Sequence, residues 1–131
     1  MEVHHRLHHK PQVMLCDGQG IAHPRRFGLA SHLGVCLDIP TVGCAKKRLC
    51  GHFEPFDRRK GHGNDLILDG GVVGRVLCTR DGVKPVYVSP GHLADIPSSV
   101  ELILKCVRRF RIPEPLRQAH LAATRLRFDL V

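Results

Sequence analysis

Two short apolar runs end in residues able to do phosphate chemistry. Val13-Met14-Leu15-Cys16 has the length of a buried parallel strand and stops at Asp17-Gly18-Gln19-Gly20, a polar, glycine-rich exit. Thr41-Val42-Gly43-Cys44-Ala45 is a second such run, and it delivers Lys46 and Lys47 at its carboxyl end. Open α/β sheets place ligands beyond the carboxyl ends of their strands, which makes Asp17 and Lys46 a candidate pair. An Asp there can ligate Mg²⁺ through hard oxygens, while a nearby Lys holds a phosphate or stabilises developing negative charge. Spacing alone leaves a second role open for Asp17, as a turn residue whose carboxylate caps the backbone of residues 18–20. Leu116, His120 and Ala123 recur at helical spacing, so the periodicity puts His120 on an inward, otherwise apolar face, the usual place of a hydrogen-bonded core histidine.

The elements that must position these groups follow from the same patterning. After the first strand the sequence predicts a helix with Pro24 near its first turn, an apolar face through Phe27, Ala30, Leu33 or Gly34, and Leu37, and a stop at Asp38-Ile39-Pro40. Residues 51–71 read as a loop of mixed charge. Residues 72–79 and 83–89 are β-rich runs joined by Arg80-Asp81-Gly82, a hairpin signal. Ser98-Ser99-Val100-Glu101 resembles a capping box for a helix reaching Phe110, with Val100, Ile103, Val107 and Phe110 on one face. Arg108, Arg109 and Arg111 follow, suited either to the negative helix end or to phosphate. A last helix opens at Pro113-Glu114-Pro115. Strand, helix, strand, hairpin and two helices describe an α/β domain with a mixed sheet.

Composition bounds the rest. The chain has 131 residues, 43% of them hydrophobic, with 20 Lys+Arg against 12 Asp+Glu and a formal charge of +8. No stretch approaches the ~18 apolar residues that a membrane span requires, and the length suits one core. The positive balance fits a polyanionic partner, through counterion release from phosphates. Six cysteines without a C-x-x-C pair read as reduced thiols in a cytosolic protein. The start lacks the apolar core of a secretory signal. His4, His5, His8 and His9 mark residues 1–9 as a disordered, solvated, His-rich leader, with the domain proper at 10–131.

Longer blocks carry more. Asp17-Gly18-Gln19-Gly20-Ile21-Ala22-His23-Pro24-Arg25-Arg26-Phe27-Gly28-Leu29-Ala30-Ser31-His32-Leu33-Gly34 resembles the signature block of endonuclease V, a nuclease family that nicks nucleic acid beside deaminated adenine. Ile39-Pro40-Thr41-Val42-Gly43-Cys44-Ala45-Lys46-Lys47-Arg48-Leu49 is similar to its second block. Lys84-Pro85-Val86-Tyr87-Val88-Ser89-Pro90-Gly91-His92 and Arg111-Ile112-Pro113-Glu114-Pro115-Leu116-Arg117-Gln118-Ala119-His120 resemble the third and fourth. The resemblance runs in order from Lys10 to about His120.

It implies a ribonuclease H-like fold and Mg²⁺-dependent hydrolysis, with Mn²⁺ as a substitute, of the second phosphodiester 3′ to inosine, leaving 3′-hydroxyl and 5′-phosphate ends. By the same resemblance Asp17 is a metal ligand, His23 and Lys46 are active-site residues, and His120 lies near the metal and its water. Gly18, Gly20 and Gly28 then leave room for a flipped-out base, and Arg25, Arg26 and Lys47 meet phosphates. His92 has a structural role at a strand end. Family members begin with strands bearing an Asp-Val-Ser-Tyr-like motif and a Pro-Tyr-Ile-Pro-Gly segment, and nothing here matches either. The chain therefore reads as the C-terminal part of such an enzyme, holding Mg²⁺ weakly through Asp17 and His120. Its first strand would present an open edge for self-association or a sheet-completing partner. The implied substrate is inosine-containing DNA or RNA, with likeness to bacterial forms favouring cytoplasmic DNA repair. The alternative is an inactive fragment that binds nucleic acid through Arg25, Arg26, Lys46, Lys47, Arg48, Arg108 and Arg109.

Overall fold

Strand β2 (Thr41–Ala45) is buried at all five positions, the signature of a central strand covered on both faces. A computed structural model describes residues 12–129, so the leader at 1–9 lies outside the described residues. Around β2 the chain runs β1 (Met14–Cys16), α1 (Leu29–Leu37), β2, β3 (Gly63–Leu68), β4 (Gly71–Leu77), β5 (Val86–Pro90), α2 (Ile96–Cys106) and α3 (Glu114–Asp129). The strands form one five-stranded sheet in the order β1-β2-β5-β4-β3. β1 pairs parallel to β2, with Cys16 opposite Gly43, and the remaining neighbours pair antiparallel. The sheet is mixed, as the sequence predicts, and among the described residues β1 is an edge.

Strand alternation divides the core between the two faces of the sheet. Val42, Cys44, Leu77, Val86 and Val88 pack with Ile103 of α2, Val107 and Leu116 of α3. Tyr87, between Val86 and Val88, joins the other cluster, where Ala22, Leu66, Val73 and Val76 carry Phe53 and Phe56. All six cysteines are free, with Cys16, Cys44 and Cys78 buried and Cys36 exposed. Among the described residues no helix is long and apolar enough to cross a membrane.

Several expectations need correction. The loop at 51–71 contains β3, which joins β4 through Asp69-Gly70, both at positive φ (51° and 78°), as a tight hairpin turn requires. Asn64 and Asp65 within the strand obscured its alternation. The expected 72–79/83–89 hairpin pairs antiparallel, but as residues 71–77 with 86–90, so the connection is residues 78–85.

Helix boundaries also move. α1 begins at Leu29 after Gly28, later than Pro24 suggests, because residues 21–28 turn back with Arg26 at φ 58°, and Phe27 stays 45% exposed. α2 is capped by Asp95, whose carboxylate accepts from the Ser98 N–H at 2.8 Å, rather than by Ser98. It stops at Cys106, leaving Val107 buried outside the helix and Phe110 exposed. Among the described side chains of α3, the first turn reaches the core: Leu116 is buried, whereas His120 and Ala123 are exposed, so these three do not share an inward apolar face.

Candidate active site

The Asp17 loop, which leaves β1, is fastened to two further strands, β5 and β2. Gly20 N–H donates to Ser89 Oγ at 2.7 Å and Ile21 N–H to the Pro90 carbonyl at 2.9 Å, tying the loop to β5. Gln19 Nε2 donates to the Lys47 carbonyl at 3.2 Å, tying it to the exit of β2. Gly43 of β2 lies beneath: a Cβ there would sit 2.5 Å from the Gly18 carbonyl oxygen and 2.7 Å from the Gly20 nitrogen. Backbone therefore rests on backbone, which only glycine permits. This holds Asp17 and Lys46 side by side, with Lys46 Nζ 3.8 Å from Asp17 Oδ2 and the two side chains 40% and 54% exposed. The pair expected from the strand ends is formed, and it faces solvent.

Arg111 stiffens the Lys46 side. Its guanidinium donates to the carbonyls of Lys46 at 2.7 Å, Pro85 at 2.6 Å and Lys84 at 2.8 Å. Arg108, by contrast, does serve the end of α2, donating to the Lys105 and Val107 carbonyls. Beneath the pair, burial pushes the Cys44 thiol up to about 12, and the Asp17 carboxylate adds to the rise, while Arg111 and Lys46 oppose it.

His120 reaches the pair from α3. A cavity of about 100 Å³ is lined by Asp17, Lys46, His120, Arg117, Ile112 and Leu116. Carboxylate, ammonium and imidazole thus converge on one apolar-backed cleft at the carboxyl ends of β1 and β2. Arg117 is held aside by Glu114 at 2.9 Å, with its guanidinium 4.3 Å from the centre of the Phe110 ring. For a divalent ion the cleft offers one hard carboxylate and one imidazole, and among the described residues no three His, Cys, Asp or Glu form a metal cluster. A carboxylate plus substrate oxygens is the minimum that Mg²⁺ accepts, so the residues fit a weak, substrate-assisted site.

The other singled-out residues lie outside this cleft. His23 accepts the Arg25 N–H on Nδ1 at 3.0 Å, which puts the proton of the neutral ring on Nε2. Arg25 is exposed. Arg26 is occupied: it donates to the Leu68 carbonyl at 3.2 Å and faces Asp69 at 3.6 Å, bracing the β3–β4 turn. Gly20 and Gly28 are buried, and a Cβ on either would overlap backbone of residues 19–20 or 90–91, so packing already demands glycine there. Gly18 meets only the Leu29 side chain, at 3.4 Å. His92 Nε2 lies 3.2 Å from Asp38 Oδ1 and the His92 backbone N–H donates to Thr41 Oγ1 at 2.9 Å, a bracing position at the end of β5. Lys47 lines a larger basic cavity instead, with Arg58, Lys84 and the rings of Phe53, Phe56 and Tyr87. Sequence reasoning passed over this cavity; the paired rings of Phe53 and Phe56 with Arg58 two positions on were the available signal.

A mixed sheet flanked by helices, with its polar cleft at the carboxyl ends of parallel strands, is a ribonuclease H-like α/β domain. The family model for endonuclease V matches residues 1–121. The endonuclease V of Methanothrix thermoacetophila is 57% identical over 109 residues, which are 83% of this chain and 49% of that protein. The crystal structure of endonuclease V from Streptomyces avermitilis aligns with a TM-score of 0.90 at 40% identity, covering 96% of this chain and 55% of the other. That of Ciona intestinalis endonuclease V, in complex with a 24mer DNA containing an inosine followed by a ribo-adenosine, aligns at 0.80 and 31% identity, over 93% and 57%. The chain belongs to the endonuclease V family. It spans about half the length of these relatives.

Proposed function

We propose that the chain carries the Asp17–Lys46–His120 part of a metal-dependent endonuclease that hydrolyses the second phosphodiester 3′ to a deaminated adenine in DNA repair in the cytoplasm. The observation that carries this reading is the convergence of those three side chains on one cleft, supported by a family relative whose structure holds inosine-containing DNA. Lys46, 40% exposed beside Asp17, neutralises a phosphate oxygen and the charge that develops as phosphorus becomes five-coordinate. His120 accepts a proton from the attacking water. The bond from the water oxygen to phosphorus forms and the bond to the 3′ oxygen breaks, the departing 3′ oxygen taking a proton from solvent, which leaves 3′-hydroxyl and 5′-phosphate ends. Mg²⁺, or Mn²⁺ in its place, would be held by Asp17 with substrate oxygens and His120 beside it, and would supply Lewis-acid polarisation of the phosphate. Gly18, which alone of the three glycines borders a side chain rather than backbone, opens space for the extruded base. Arg25 and Lys47, both exposed, meet neighbouring phosphates, and His23 orders the Arg25 backbone.

A second reading is a fragment that binds nucleic acid without cutting it, favoured by the lack of a three-ligand metal cluster among the described residues. In that reading the open β1 edge takes a sheet-completing partner or a second copy. Nicking of an end-labelled, single-inosine strand with Mg²⁺ or Mn²⁺, compared with Asp17→Ala, tests the proposal. Cleavage lost in the variant supports it. Salt-sensitive binding without cleavage rejects it for this chain.

A further inference from the structure

The larger basic cavity, about 510 Å³, is of ligand-binding size, whereas the Asp17 cleft at about 100 Å³ is not. Its floor is aromatic. Phe53 lies 6.2 Å from Phe56 and 6.1 Å from Tyr87, ring centre to ring centre, and the Arg48 guanidinium stands 5.7 Å from the Phe53 centroid. Its rim is cationic: Lys47, Arg58 and Lys84 are exposed around the rings, and no carboxylate lines the cavity. Packing accounts for the rings, which rest on Leu66, Val73 and Val76. It does not account for a rim of one charge, since surfaces shaped only for solubility intersperse both signs. Rings half-covered by a core and half-open under unneutralised cations are the arrangement that binds single-stranded nucleic acid, by base stacking and phosphate attraction. Lys46 lines both cavities, so the two are adjacent.

We propose that the trough over Phe53, Phe56 and Tyr87 is a second nucleic-acid subsite, in which an unpaired base stacks while flanking phosphates meet Lys47, Arg58 and Lys84. That the occupant is the strand leaving the Asp17 cleft rests on the nuclease reading; the subsite itself does not. Recognition is of any base, because each offers a π-face and the trough lines itself with rings and cations rather than with paired donors and acceptors.

The protein provides its own reporter, since Tyr87 is its one tyrosine and it has no tryptophan. Tyrosine fluorescence lifetime, which absorption by the oligonucleotide does not alter, is followed with the full chain and an oligothymidylate of about ten nucleotides. The lifetime is expected to shorten, and an abasic strand with the same number of phosphates is expected to bind more weakly and leave it unchanged. Phe56→Leu keeps the packing and should weaken oligothymidylate about tenfold while sparing the abasic strand. Arg58→Ala should weaken both and lower the salt slope by about 1. Oligothymidylate that binds by anisotropy without changing the Tyr87 lifetime, or that binds no better than the abasic strand, overturns the proposal. Loss of inosine nicking with the Tyr87 response intact refutes the nuclease reading alone.

Discussion

Gly43 is the point at which the fold controls the candidate active site, and replacing it with alanine isolates that control. The residue lies in the fully buried strand β2, opposite Cys16 of β1, with the Asp17 loop resting on its Cα. A methyl group would sit 2.5 Å from the Gly18 carbonyl oxygen, 2.7 Å from the Gly20 nitrogen and 2.9 Å from the Gln19 carbonyl carbon. All three neighbours are backbone, so no side chain can rotate away and the loop itself must lift. Overpacking of this kind costs about 1–3 kcal/mol. For a domain of this size that lowers the melting temperature by roughly 3–12 °C. Lifting the loop also strains the Gly20–Ser89 and Gln19–Lys47 hydrogen bonds that keep Asp17 beside Lys46. Melting followed by circular dichroism gives the first quantity, and amide chemical shifts of residues 17–20 report the second. Gly71→Ala is the control, because its added carbon would lie no closer than 3.7 Å to any neighbour. If Gly43→Ala melts with the wild type and leaves those shifts in place, the account of how the loop is held is refuted.

Other predictions separate stability from chemistry. Lys46→Ala should leave the melting temperature almost unchanged, because a pair 40% and 54% exposed contributes less than about 1 kcal/mol. The same variant should cut inosine-directed nicking by about a hundredfold if its ammonium stabilises the transition state; equal losses of stability and activity would point to a structural role. Thiol alkylation at pH 8 should label exposed Cys36 quickly and buried Cys44 only on unfolding, read by peptide mass spectrometry. Cys44, raised from 9.0 to about 12, holds its proton in the folded chain while the unfolded thiol ionises. Its contribution is therefore intact below pH 9 and lost as pH rises from 9 to about 12, a fall in stability that Cys44→Ala should flatten in denaturant titrations. Asp95→Ala should lower thermal stability by uncapping α2. The Ser98 hydrogen bonds hold the Asp95 carboxyl below its usual range, so wild type retains this cap at neutral pH and loses it as pH falls through that lowered value. A melting temperature for Asp95→Ala that converges on wild type in acid would bear this out.

How much was legible in advance depends on the range of each interaction. The runs at 13–16 and 41–45, their polar ends and the placing of Lys46 near Asp17 needed only apolar patterning and the rule that ligands bind where parallel strands end. The motif blocks identified the family and, with it, the fold. β3 was missed because Asn64 and Asp65 break the alternation; its existence rests on pairing with β4 across the Asp69-Gly70 turn. Helix periodicity placed Leu116 correctly but not His120, since Leu116 in the first turn of α3 packs into the core while His120, one turn on, is exposed.

Arg26 and Arg111 show the limit most plainly. Nothing local distinguishes them from Arg25 or Arg108, yet one is committed to Leu68 and Asp69, and the other to carbonyls at Lys46, Lys84 and Pro85. Their partners lie 26 to 65 positions away in the chain for the hydrogen bonds, distances that sheet register closes and composition cannot express. The sequence by itself determined which residues end strands, where the backbone must be glycine-rich, and the family to which the chain belongs. Tertiary structure alone decided which cations are committed to backbone carbonyls, that Gly43 supports the Asp17 loop, and that Phe53, Phe56 and Tyr87 form one surface. Propensity and periodicity act over neighbouring residues, whereas charge neutralisation and close backbone contact depend on what the completed sheet brings alongside.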